Sequence, residues 1–164
     1  MKKIIITIVS FFIFIYLSAC TGYEPIFKAG NLNFKIEEYE INGNKKIGNQ
    51  IYSKLYGVSR HNKNNPEAQS IKVSIKTSKE KVATVKNSAG KILEYKINLN
   101  TNIRVDNLLT DNNIFDQDFN YSSSYKVQDQ HSETIKLENT TIKNLINKTG
   151  DDLIIKISGS LVEK

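Results

Sequence analysis

The sequence predicts an α+β fold, a two-layer sandwich in which two helices pack on one face of a four-stranded, mostly antiparallel sheet in the order β-α-β-β-β-α. Three observations predict it. Between about residues 71 and 127 the chain alternates apolar and polar residues in three long segments, the pattern of strands with one buried face. Two other stretches carry apolar residues at intervals of three and four, the pattern of a helix with one apolar stripe. A sheet with one apolar face and two helices with one stripe each satisfy one another when both helices cover that face.

The chain begins with an address. Lys2 and Lys3 precede an apolar run from Ile4 to Leu17, broken only by Thr7 and Ser10, and small residues lead to Cys20, the layout of a secretory signal. The run is shorter than the roughly 20 residues that a membrane span needs. Leu17-Ser18-Ala19-Cys20 resembles the bacterial lipobox, which implies lipidation of Cys20 and cleavage just before it. Cys20 is the single cysteine, so an internal disulfide is excluded. Several acyl chains, at about 0.8 kcal/mol per buried methylene, anchor stably where one would be marginal. Thr21 stands where an aspartate would resemble an inner-membrane retention signal, so the expected location is the periplasmic side of the cell outer membrane. The expected organisation is a signal peptide at 1–19, a lipidated tether at 20–30 and a single domain at 31–164.

A mature chain of 145 residues, 20–164, suits one domain with its own core. Its formal charge is +4, because loss of Lys2 and Lys3 lowers the +6 of the whole chain. So mild a balance gives no reason to expect nucleic acid, but it is compatible with an anionic lipid or glycolipid. The abundance of asparagine is read as a property of base composition.

Taken in order, Leu32, Phe34 and Ile36 alternate with Asn33, Lys35 and Glu37 as a first strand. Tyr39 and Ile41 fall out of phase with it, which predicts a bulge or the strand end near Glu38. Asn42-Gly43-Asn44 is a turn signal, and Ile47, Ile51, Leu55 and Val58 then mark a helix from about Lys45 to Tyr56, stopping near Gly57. Residues 59–68, with Pro66, form a polar surface loop.

The second strand places Ile71, Val73, Ile75 and Thr77 on one face. The third does the same with Leu93, Tyr95, Ile97, Leu99, Ile103 and Val105, and the fourth with Phe115, Phe119, Tyr121, Tyr125 and Val127. Short turn-rich links at 87–90 and 110–113 predict an antiparallel meander. From about Asp129, Ile135, Ile142, Leu145, Ile146, Leu153, Ile154 and Ile157 describe a helix that reaches at least Lys148. Gly150 leaves two outcomes open. One long helix tolerates it at roughly 1 kcal/mol, or the helix ends there.

The sequence offers little convergent chemistry, and no enzyme is expected. His61 and His131 have no metal-like partner spacing and are read as solvated residues. A glycine-rich phosphate loop and a Gly-x-Ser-x-Gly elbow are both missing, so no cofactor and no metal is expected. Asp116 and Asp118 share one strand face and are read as solvated. The wet face of the sheet should present Lys72, Lys76, Lys96, Arg104 and Lys126, cations able to hold glycolipid phosphates through charge-assisted hydrogen bonds. Ordinary solubility and edge protection account for the same lysines, while Glu37, Glu94, Asp116 and Asp118 dilute the charge.

Cys-Thr-Gly-Tyr-Glu-Pro-Ile-Phe at 20–27 is similar to the Cys-Gly-aromatic-x-Pro-Leu-Tyr opening of the LptE family of LPS-assembly lipoproteins, especially its alphaproteobacterial members. The order of elements and a Tyr-Ser-Ser-Ser-Tyr segment at 121–125 resemble that family too. The resemblance implies a lipoprotein that plugs the lumen of the LptD β-barrel, helps that barrel assemble, and takes part in lipopolysaccharide transport to the outer leaflet. It implies an LptD-like outer-membrane barrel, lipopolysaccharide and, through the lipid anchor, the membrane as partners, and no nucleic acid. Tyr23, Pro25 and Phe27 become candidates for partner binding, and Lys72, Lys76, Lys96, Arg104 and Lys126 for lipopolysaccharide. The last helix, rich in asparagine and poor in alanine, departs from the family pattern. A free-standing periplasmic-facing lipoprotein that binds glycolipid, or an accessory subunit of another envelope assembly machine, are the alternatives.

Overall fold

A computed structural model describes residues 33–162. The signal peptide, the tether and Leu32 lie outside the described residues. The element order is β1 (Phe34–Gly43), α1 (Lys45–Ser59), a 3-10 turn (Arg60–Asn62), β2 (Gln69–Lys86), β3 (Ile92–Asn107), β4 (Asn113–Lys126) and α2 (His131–Val162). The expected α+β order therefore holds. The sheet runs β1-β2-β3-β4, with β1 parallel to β2 and the other two pairs antiparallel.

Strict alternation in β2, β3 and β4 sends Ile71, Val73, Ile75 and Thr77, then Ile97, Leu99, Thr101, Ile103 and Val105, then Phe115, Phe119 and Tyr125 to one side, where all are buried. The ladder puts them in rows across the strands. Ile75 pairs with Ile103, and Thr77 with Thr101, which pairs in turn with Phe119. Both helices cover this side: α1 lies on β1 and β2, α2 runs along β4 and β3, and the helices touch each other. Ile47, Ile51 and Leu55 of α1 and Leu145, Ile146, Leu153 and Ile157 of α2 complete one continuous core. The out-of-phase residues of β1 have the expected cause, since its register against β2 shifts between Ile36 and Glu38.

The turn from β1 into α1 is locked to β2. Gly43 takes a φ of +77°, and a Cβ there would meet the Thr77 carbonyl oxygen at 2.1 Å. Asn44 caps α1 by accepting from the Ile47 amide at 3.2 Å. Its own amide donates to the Thr77 carbonyl at 2.9 Å, and the Thr77 hydroxyl donates to its carbonyl at 2.9 Å. A parallel pairing of β1 and β2 needs a crossover of this kind. The fixed turn sets where that crossover starts.

Three expectations need correction. The first helix does not stop at Gly57 but continues to Ser59, because nothing crowds Gly57 and the apolar stripe extends to Val58, which packs against the core. The polar loop after it contains the 3-10 turn. Ile135 and Leu93, expected on buried faces, are 44% and 41% exposed: Leu93 sits where the β2–β3 register shifts, and Ile135 lines an open groove with Lys81 and Tyr95.

The helix α2 passes through Gly150 without a break. Gly150 is buried, and a Cβ on it would lie 2.6 Å from Cδ of Lys54. The glycine thus lets the Lys54 stem cross α2 closely, where its ammonium donates to Asp151 Oδ1 at 2.8 Å and to the Asn147 carbonyl at 3.3 Å. Two tyrosines of β4 also hold α2. Tyr121 donates to Asp152, and its phenol is pushed up to about 12 by burial and by that carboxylate. Tyr125 donates to Glu138 Oε2 at 2.9 Å, and Lys81 donates to the same oxygen at 2.5 Å while lying 4.2 Å from the Tyr95 ring centroid.

Burial alone would raise the Glu138 carboxyl, but the Lys81 and Tyr125 hydrogen bonds outweigh it and hold the group below its ordinary value. A depressed carboxylate contributes stability that is present above the ordinary carboxylate range and is lost as pH falls through the folded-state value. Glu138→Gln is therefore expected to be less stable than the parent at pH 6, with the gap narrowing by pH 3, as read by urea unfolding at each pH. Gly43→Ala is expected to cost at least ~2 kcal/mol, because left-handed backbone strain of about 1–2 kcal/mol adds to the clash with the Thr77 carbonyl. A fall in urea midpoint at unchanged slope measures it.

Candidate functional site

The side of the sheet that faces away from the helices is uncovered among the described residues. Alternation brings to it Glu38, Glu40 and Asn42 of β1, Lys72, Ser74, Lys76, Ser78 and Glu80 of β2, Lys96, Asn98, Asn100, Asn102, Arg104 and Asp106 of β3, and Asp116, Asp118, Asn120, Ser122, Ser124 and Lys126 of β4. All five cationic candidates, Lys72, Lys76, Lys96, Arg104 and Lys126, share this face. They do not converge on one point. Lys72 and Arg104 sit at one end of the strands, Lys96 and Lys126 near the other, and Lys76 between them.

The ladder also decides which of these charges are available. Arg104 Nε donates to both Asp106 oxygens at 3.0 Å, and its Nη1 lies 3.9 Å from Asp116. The Arg104 hydrogen bond holds the Asp106 carboxyl below the usual carboxylate range, against burial, with help from the Asn113 amide. Lys72 is 4.0 Å from Glu38. Lys76, Lys96 and Lys126 form no ion pair with a described residue. Asp116 and Asp118 are tied together by Asn102, whose amide donates to both, at 3.2 and 2.9 Å. Asn98 likewise donates to Glu80 at 3.2 Å.

The centre of the face is made of amides and hydroxyls rather than cations. Asn98, Asn100 and Asn102 stand at alternate positions of β3, with Ser78 on one side of Asn100 and Asn120 on the other. A shallow depression of about 380 Å³ lies there, lined by Lys76, Ser78, Asn100, Asn102, Asp118 and Asn120. Sequence reasoning passed over these asparagines by assigning them to composition. Their strict spacing of two on a strand with one buried face was the signal that placed them together. Such a surface offers donors and acceptors in equal supply and little net charge, so it can hydrogen-bond a polar partner over a wide area.

Cys20, Tyr23, Pro25 and Phe27 lie outside the described residues. Among those described, no group of His, Cys, Asp or Glu is placed to hold a metal ion. No helix among them is long and apolar enough to cross a membrane.

The fold is similar to those of several bacterial lipoproteins of known structure. The chain resembles lipoprotein B from Nitrosomonas europaea (TM-score 0.59, 13% identity, covering 84% of this chain and 91% of that one). It also resembles rare lipoprotein B from Shewanella oneidensis (TM-score 0.55, 12% identity, 77% and 97% covered) and a minor lipoprotein from Acinetobacter baumannii (TM-score 0.56, 11% identity, 77% and 92% covered). At these identities the likeness is one of fold. No protein-family model matches the chain, and no curated protein matches it in sequence.

Proposed function

We propose that this chain is a lipid-anchored protein of the outer membrane that sits as a plug in an LptD-like β-barrel, helps that barrel assemble, and takes part in lipopolysaccharide transport and insertion. The observation that carries the reading is the uncovered sheet face, a surface of amides, hydroxyls and charges of both signs suited to a polar, water-lined barrel interior rather than to an apolar partner. The lipobox at Cys20 supplies the anchor, and the likeness of residues 20–27 to the opening of LPS-assembly lipoproteins supplies the partner class. The fold shared with bacterial lipoproteins supports both. The role is non-enzymatic.

A free-standing lipid carrier fits less well. It needs an apolar pocket, whereas the apolar side of this sheet is filled by Phe34, Ile51, Leu55, Phe119, Leu153 and Ile157 from the protein itself. In the plug reading Tyr23, Pro25 and Phe27 pack beside the anchor against the barrel. The unpaired Lys76, Lys96 and Lys126 are then the face's first contacts for lipopolysaccharide phosphates.

Pull-down of the Cys20-anchored chain from detergent-solubilised outer membranes, with mass spectrometry of what stays bound, is expected to recover a large LptD-like barrel in near-equal amount. Recovery of the chain alone, or with lipid only, overturns the plug reading. Deleting residues 21–27 while keeping Cys20 is expected to lower that recovery. A second variant tests the face itself: Asn100→Trp places a bulky ring on an exposed position, where substitutions ordinarily stay within about 0.5 kcal/mol of neutral. It should leave the melting temperature unchanged and cut barrel recovery several-fold. Full recovery with Asn100→Trp would remove the centre of the face from the interface.

A further inference from the structure

The structure assigns a second site, on the helical side of the molecule: a cleft between α1 and α2 that binds a phosphate-bearing anion of about sugar-phosphate size. Its volume is about 550 Å³, within the roughly 300–1,000 Å³ range of small-molecule sites. One wall is the stripe Lys46, Gln50 and Lys54 of α1, spaced by four so that they stack along one helix face. The other is Asn139, Lys143 and Asn147 of α2, with the same spacing. Ile47, Ile142 and Ile146 line it between the two stripes, and Lys79 enters from β2.

Four lysines line this cleft and no carboxylate does. Elsewhere Lys35, Lys72, Lys81 and Arg104 each lie within ion-pair distance of an acid. Of the four, only Lys54 has a partner, Asp151, and that pair marks the end of the cleft where α1 crosses Gly150. Lys46, Lys79 and Lys143 form no ion pair with a described residue. Lys79 is the most telling. It follows Ile71, Val73, Ile75 and Thr77 on the helix-facing side of β2, and the next residue on that side, Lys81, is taken up by Glu138. Lys79 is therefore an exposed cation on the helix-facing side, within electrostatic reach of Glu138 but in ion-pair contact with no described residue. The first turn of α1 adds to the imbalance, since it holds Lys45 and Lys46 and no acid at the end of the helix that already carries partial positive charge.

Mutually repelling ammonium groups around a concave site are relieved by an anion, and phosphate suits lysine, which binds it as a point charge. The amides of Gln50, Asn139 and Asn147 make no side-chain hydrogen bond to a described residue, so they are available for the hydroxyls that accompany a phosphorylated sugar or headgroup. The isoleucines between the walls add a small apolar surface. This inference stands on the cleft and not on the barrel reading, because the site lies on the opposite side of the sheet from the open face.

The test is calorimetric titration of the full chain, in neutral detergent, with inorganic pyrophosphate and separately with dihexanoyl phosphatidic acid. Saturable one-to-one binding that weakens with added salt is expected. The double variant Lys79→Gln/Lys143→Gln, and Lys46→Gln by itself, should weaken it, the double variant by tenfold or more. Lys86→Gln/Lys91→Gln at the tip of the β2–β3 hairpin, outside the cleft lining, should leave it within twofold, and circular dichroism should report the same fold throughout. Tenfold tighter binding of the phosphatidic acid identifies a lipid headgroup as the natural source, whereas equal affinity identifies a free phosphate compound. Absence of saturable binding by the parent chain, or equal losses in cleft and hairpin variants, overturns the proposal. No barrel is present in this experiment, so its outcome is independent of whether the plug reading survives.

Discussion

A sheet whose strands alternate without interruption can hide only one of its faces, and that constraint organises this protein. In β2 and β3 every second side chain is apolar or a buried threonine over the packed length, and β4 adds Phe115, Phe119 and Tyr125 to the same side. The apolar rows demand a cover, and two helices with one stripe each provide it. The same alternation makes the opposite face polar by necessity, so the broad polar surface is a direct product of the packing that stabilises the fold.

Covering the face is not enough to fix the helices, since apolar contact is non-directional. Position comes from a few polar anchors. The Gly43-Asn44 junction ties the start of α1 to Thr77 of β2. Tyr121 and Tyr125 reach from β4 to Asp152 and Glu138, two carboxylates almost four turns apart on α2, and so set both its rotation and its slide along the sheet. Lys54 joins the helices over Gly150. Between that crossing and the projecting β2–β3 hairpin the two helices leave the lysine-lined cleft. The arrangement gives the molecule two chemically different surfaces: a flat one of amides, hydroxyls and charges of both signs, and a concave one lined by four lysines and no carboxylate.

The fold was largely legible because its strongest signals are local. Ile71 to Thr77, Ile97 to Val105 and Phe115 to Tyr125 announce a period of two, and Asn42-Gly43-Asn44 and Asn87-Ser88-Ala89-Gly90 announce turns that the backbone bears out, with Gly43 and Gly90 at positive φ. Local pattern was less reliable at glycines. Gly57 looked like a stop and Gly150 like a possible one, yet both lie inside helices, because packing on either side outweighs a propensity cost of about 1 kcal/mol. Ile135 and Leu93 were misplaced for a related reason: periodicity tells which way a residue points, but not whether anything stands opposite it.

Taken alone, the sequence showed a lipobox-like Leu-Ser-Ala-Cys ending at Cys20 and determined the order and type of the elements and the membership of most strand faces, since all of these follow from residues close together in the chain. It placed Lys72, Lys76, Lys96, Arg104 and Lys126 on one face. Only the tertiary structure decided that Arg104 is held by Asp106 and Asp116 and Lys72 lies near Glu38, while Lys76, Lys96 and Lys126 form no ion pair with a described residue, and that β1 runs parallel to β2. It also decided that Lys46, Lys79 and Lys143, from three separate elements, meet around one cleft. Charge pairing and concavity depend on which strands and helices become neighbours, and neighbours far apart in the chain leave no periodic trace in it.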